Sequence, residues 1–223
     1  MMIFPKPRPL FRGVVPLRLV VVFGMAGMPI TRCPADLKCW STDPMARIYE
    51  DADPPANASA DVFIVAPRNG VASGLLVVSS SAPLNSLSVK ASPFDNGLGA
   101  PQIRYGLFNK GRSPKYFDGL SNQFPPGART AVIWLSVNVP RDVRPGLSTA
   151  RLQVNDRLIS VKLKVTPFTL PDRKDYTMWV STTQSPETLA LHYDVRPYSD
   201  AHWKLIERSL ELQGQLADKV CYI

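Results

Sequence analysis

The chain has 223 residues and 22 prolines against 13 glycines, room for one large domain or a domain plus a fragment, and too much proline for a mostly helical protein. Its net charge of +8 is not a nucleic-acid footprint: Lys6, Arg8, Arg12, Arg18 and Arg32 sit in an acid-free leader, and the other 21 basic residues against 18 acids leave only +3. Three cysteines (Cys33, Cys39, Cys221) and two histidines (His192, His202) show no CxxC or Cys/His zinc spacing, so neither a metal site nor a cofactor is expected.

The leader places basic residues before an apolar run, Leu19–Met28. That run has the length of a signal-peptide core and is too short for a stable membrane span. Residues 1–32 therefore read as a signal peptide or a disordered leader, which predicts a secreted or periplasmic protein. Cys33 and Cys39 are close enough to bridge after export, whereas Cys221 reads as a small buried residue in an apolar tail.

Residues 33–60 are irregular, with a first strand between Trp40 and Tyr49 and then a Pro/Ala/Asp loop. Asn57-Ala-Ser59 fits a glycosylation sequon, a triplet common by chance. Short apolar segments follow at Asp61–Ala66 and Gly74–Val78, and Leu84–Ala91 alternates. Residues 92–129 are loop-rich, with one strand expected at Ile103–Phe108. Short strands between Pro, Gly, Asn and Ser turns predict an antiparallel β-sandwich.

The pattern is clearest at Thr130–Val139, where Ala131, Ile133, Leu135, Val137 and Val139 share one face and Trp134, Ser136 and Asn138 the other. Pro140 ends that strand, and Arg144-Pro-Gly-Leu147 is turn chemistry. A hairpin follows: Ala150, Leu152 and Val154 lead through Asn155-Asp156 to Ile159, Val161, Leu163 and Val165. The opposite face of the return strand, with Lys162 and Lys164, reads as solvent-facing.

Thr166–Asp172, with Pro167 and Pro171, reads as a stiff linker. A strand is expected at Tyr176–Ser181. Ser199 caps a helix from about Asp200 to Ala217, with an apolar stripe of Trp203, Ile206, Leu210 and Ala217 broadened by Leu205 and Leu216, and weakened by Gly214. Val220–Ile223 opens another strand. Strand, helix, strand at this spacing is a parallel βαβ opening. The expected organisation is a leader (1–32), a β-sandwich (33–170), and a linker with the first βαβ unit of an incomplete barrel (171–223).

The passage Ile133–Leu152, with its Val-Pro and Pro-Gly turns, resembles the N-terminal sandwich domain of glycoside hydrolase family 123-like proteins. Leu170-Pro-Asp172, Gln184-Ser-Pro186 and Asp200–Glu207 resemble the start of their barrel, and Trp40–Asp51 is similar to their N-terminal strand. Ser148 and Ala150 depart from the family pattern, which prefers Tyr and Gly there. The resemblance covers about residues 38–223. It implies a (β/α)₈ barrel that hydrolyses N-acetylhexosaminides with an adjacent Asp-Glu pair. No Asp-Glu dipeptide occurs in this chain, so no catalytic residue carries over.

Other constellations fail on their own terms. Asp51/Asp53 and Asp172/Asp175 lie in loops, and Glu207/Glu211 sit one turn apart on a helix, where a solvated face is expected. There is no GxSxG elbow for either histidine, and Asn96-Gly-Leu-Gly99 lacks the helix a phosphate loop needs. His202 is expected to pack or face solvent. In the barrel that the resemblance implies, Gln184, His192 and Tyr193 fall in the loop after the first strand, where they would line a sugar cleft with Trp179, from that strand, or Tyr193 as a stacking platform.

These readings converge on a non-catalytic sandwich domain of a glycoside hydrolase, truncated before its catalytic carboxylates. It would pack on the missing barrel and meet a glycan only through the intact barrel. The alternative is a stand-alone secreted β-sandwich module that binds carbohydrate or protein.

Overall fold

A computed structural model describes residues 37–109, 111, 113–178, 181–183 and 185–218. Among them the chain is mainly β: β1 (Lys38–Thr42), β2 (Val62–Arg68), β3 (Gly70–Ser79), β4 (Val89–Ala91), β5 (Gln102–Phe108), β6 (Phe117–Ser121), β7 (Thr130–Val139), β8 (Gly146–Val154) and β9 (Arg157–Thr169). A short 3₁₀ turn (Arg173–Asp175) and two helices, α1 (Pro186–Tyr193) and α2 (Asp200–Gln215), follow. The leader, Cys33, Trp179, Gln184 and the Val220–Ile223 segment with Cys221 lie outside the described residues.

The strands form a five-stranded sheet, β1-β3-β7-β5-β6, and a four-stranded sheet, β2-β9-β8-β4. The first is antiparallel throughout. The second is mixed, because β2 runs parallel to β9, with Ile64 beside Leu163. A purely antiparallel architecture is thereby corrected: chain segments about a hundred residues apart meet side by side, which local alternation does not encode.

One apolar cluster takes side chains from both sheets. Val62, Ile64 and Ala66 of β2, Ile133, Leu135 and Val137 of β7, Leu152 of β8 and Leu163 of β9 all belong to it. Burial of such aliphatic side chains stabilises by about 1.5–3 kcal/mol each. Period two sorts β8 and β9 cleanly, with alternate residues buried. β3 and β7 differ. Leu75, Val77 and Val132 join Trp40 and Ile48 in a second cluster on the far face, beneath the Asp43–Ala52 segment. Both faces of these central strands are covered, which is why Leu75–Val78 is an unbroken buried run.

Several sequence-based expectations are revised. The predicted strand at Leu84–Ala91 is limited to Val89–Ala91: Leu84 and Leu87 are instead loop residues that plug the core. The segment is held by Asn155, whose side-chain oxygen accepts from Ser88 N–H while its own N–H donates to Ser88 O. β6 lies in the stretch expected to be loop. The linker begins later than predicted, since β9 continues through Pro167 to Thr169. β8 begins at Gly146, opposite Val165, so the missing N–H of Pro167 faces no β8 partner. Of the strand expected at Tyr176–Ser181, the described residues Tyr176–Met178 and Ser181 are not in a strand.

Candidate functional site

The helical segment carries the expected site. Ser185 caps α1 by accepting from Thr188 N–H, and Pro186 sits in the first turn, where its missing N–H costs nothing. Asp194, in the left-handed region at φ 52°, ends the helix. His192 is therefore in the last turn of a helix and not in a loop, which corrects the sequence reading. His192 and Tyr193 are both exposed and meet edge to face at 4.8 Å. Of the four predicted cleft residues these two are brought together; Trp179 and Gln184 are outside the described residues.

The network beside them is structural in its chemistry. His202, in the first turn of α2, is fully buried. Its Nδ1 accepts from Tyr198 N–H at 2.8 Å, so Nε2 carries the proton and donates to Pro186 O at 2.7 Å. Both ring nitrogens are occupied by backbone, leaving no lone pair for general-base work. Tyr198 O–H donates to Glu187 Oε1 at 2.7 Å, and Ser185 O–H to Glu187 Oε2 at 3.0 Å. The Tyr198 hydroxyl, with Ser185, holds the Glu187 carboxyl below its ordinary range, and the same carboxylate pushes the Tyr198 phenol up. The exposed Glu187 carboxylate is held by Tyr198 and Ser185, and the His202 ring by backbone, so the two are not arranged as an acid–base pair.

α2 keeps only part of its apolar stripe covered. His202 and Ile206 are buried, whereas Trp203 is 47% exposed and Leu210 and Leu216 are also exposed. Asp218, just beyond α2, accepts from both the N–H and the hydroxyl of Thr182, which ties the two ends of this segment together.

Two sites were missed by sequence reasoning. The first is a clamp at the exit from β9. The Asn69 side-chain amide donates to Leu170 O, Pro171 O and Asp172 Oδ1 at 3.0, 3.2 and 3.0 Å. Arg141 Nη2 donates to the same Asp172 oxygen at 2.7 Å. Arg141 first, then Asn69, holds the Asp172 carboxyl below its usual range. The available signal was Asn69-Gly70 between two apolar runs, a strong turn dipeptide. Asn69 indeed adopts φ 56°.

The second is an open cleft of about 460 Å³ lined by Asn96, Asp142, Val143 and Arg144. It lies at the turn between β7 and β8, next to Asp95. That carboxylate accepts from Ser148 O–H at 2.6 Å and Thr149 N–H at 3.1 Å, and these bonds hold it in the ionised form. No group of three metal-ligating side chains occurs among the described residues.

Fold and site together define a mainly β protein of two sheets sharing one core, extended by a helical pair with no catalytic constellation among the described residues. No protein-family model and no curated protein matches the chain. A solved structure does: a family 123 glycoside hydrolase from Clostridium perfringens, studied for glycolipid glycan hydrolysis, is similar over 83% of this chain with a TM-score of 0.64 and 16% identity. The chain spans 37% of that structure's length. An alkylpurine DNA glycosylase from Pseudomonas fluorescens aligns over 59% of this chain and 30% of its own, with 12% identity and a TM-score of 0.29, below the range in which a likeness bears on fold.

Proposed function

We propose that this chain supplies the β-sandwich accessory domain and the opening helices of the catalytic barrel of a family 123-like glycoside hydrolase that acts on N-acetylhexosaminides. On this reading it holds no catalytic carboxylates of its own. The observation that carries the reading is the fold likeness to the Clostridium enzyme over 83% of this chain, against 37% of the enzyme. The half-covered stripe of α2 supports it, because Trp203, Leu210 and Leu216 present an apolar surface of the kind that further barrel elements would bury. The role is then mechanical: the two sheets hold the exit of β9, and with it the first helices of the barrel, in a fixed direction.

Two measurements test this. The purified 223-residue chain should show no turnover of aryl N-acetylhexosaminides, and measurable turnover would overturn the non-catalytic assignment. Reading the coding DNA past Ile223 should show an open frame encoding an Asp-Glu pair. A stop there, with cooperative unfolding of the whole chain, would favour the stand-alone binding module.

A further inference from the structure

We propose that the outward face of the four-stranded sheet docks on an anionic lipid surface. Strand alternation puts Phe63 and Val65 of β2, Lys162 and Lys164 of β9, and Leu147, Thr149 and Arg151 of β8 on the side away from the core. The register aligns them in rows. One runs Phe63, Lys162, Thr149, and the next Val65, Lys164, Leu147. A solvated sheet face is normally polar. Here Phe63 is 56% exposed, Val65 52% and Leu147 66%, and Leu158 and Phe168 extend the same side of β9.

The charge on this face is net positive. Lys162 is paired with Asp61 at 2.8 Å. Lys164, Arg151 and Lys90 are exposed and form no ion pair among the described residues. Lys164 lies between Val65 and Leu147, and Arg151 beside Ser160 and Lys90 beside Gln153 add positive charge along the same face, which together complement a surface that is negative at the top and apolar beneath. The interleaving distinguishes a lipid from an acidic protein. Protein interfaces keep lysine out of their centres, yet Lys164 sits between Val65 and Leu147. Against a protein its ammonium would need one acid directly opposite. At a bilayer its stem lies along the apolar neighbours while the ammonium reaches the headgroup phosphates. The inference stands apart from the hydrolase reading, since neither the barrel nor a glycan enters it.

The test is flotation of the full chain with vesicles of phosphatidylcholine alone or with about one-third phosphatidylserine. Binding to the anionic vesicles only, and release at about 0.5 M salt, are expected. Each basic residue at such a surface contributes about fivefold, so Lys164→Glu should lower partitioning about 25-fold. Phe63→Ser should lower it about fivefold through lost apolar burial. Lys204→Glu, on α2, should bind as the parent does. All three positions are exposed, and unchanged melting would show that the variants fold. Equal binding to neutral vesicles, parental binding by Lys164→Glu (which would place the contact elsewhere, the basic leader included), or no vesicle binding would each overturn the proposal. So would binding to an acidic protein without vesicle binding.

Discussion

The side-chain amide of Asn69 donates to the carboxylate of Asp172 at 3.0 Å across 103 residues of sequence. With its bonds to Leu170 O and Pro171 O, this one amide fastens the exit of β9 to the turn between β2 and β3. Gly70 completes the fit: a Cβ there would lie 2.9 Å from Leu170 Cδ1. Asn69→Gly keeps the backbone at φ 56° accessible while deleting the amide. Trypsin should then cut faster after Arg173 and Lys174 while the melting of the sheets hardly changes. An unchanged cleavage rate would mean that Arg141 alone holds the segment.

The same clamp has a pH signature. Arg141 and Asn69 hold the Asp172 carboxyl below its ordinary value, so its contribution is complete above the unfolded value of about 3.9 and is lost as pH falls through the lower folded value. A carboxyl-carbon NMR titration of Asp172 should therefore show a midpoint below that of an unstructured aspartate. In Arg141→Ala the midpoint should move up, because the largest lowering influence is gone. Coincident midpoints in the two proteins would show that the 2.7 Å ion pair does not persist in solution.

Much of this architecture was legible where a residue's neighbours in sequence are also its neighbours in space. Thr130–Val139 alternates and is β7 at the same bounds; the hairpin through Asn155 turns where both flanking strands say it must. The α2 helix begins at its Ser199 cap and ends at Gln215, just after Gly214. What was lost depended on distance or on weak periodicity. The parallel pairing of β2 with β9 is non-local. α1 buries only Ala190, so it has no apolar stripe to find, although Ser185-Pro186-Glu187 is a legible helix start. Leu84–Ala91 alternates, yet Leu84 and Leu87 both turn into the core because the chain is free of the strand ladder until Val89. For the site, two of four predicted cleft residues fall on one helix end, and the reason is sequence adjacency rather than a recognised pocket.

His202 should behave as a structural residue. Replacing it by alanine leaves Tyr198 N–H and Pro186 C=O without their partner and removes a ring that meets Tyr198 edge to face at 5.5 Å. A buried unsatisfied group costs roughly 1–3 kcal/mol. The cost falls on the α1–α2 pair, so amide exchange should accelerate in residues 186–215 and leave β7 protected. Acceleration spread evenly over both helices and sheets would show that the chain unfolds as one unit.

At Gly74 the two sheets meet through a missing side chain. A Cβ at this position of β3 would meet Val62 Cγ1 at 2.6 Å and Ile64 Cγ1 at 2.8 Å, both on β2 of the opposite sheet. Val62 and Ile64 are each 1% exposed, so neither can swing away. Gly74→Ala should therefore force the sheets apart locally and cost about 1–3 kcal/mol, as overpacking usually does. Gly99 is the matched control: a Cβ there would meet nothing within 4 Å, and its φ is ordinary. Gly99→Ala should be neutral or stabilise by about 0.4–1 kcal/mol, through the less flexible unfolded chain. Urea denaturation of the two variants decides it. A Gly74→Ala midpoint equal to the parent's would show that the sheets have slack at this contact, and that the shared core is looser than its buried residues imply.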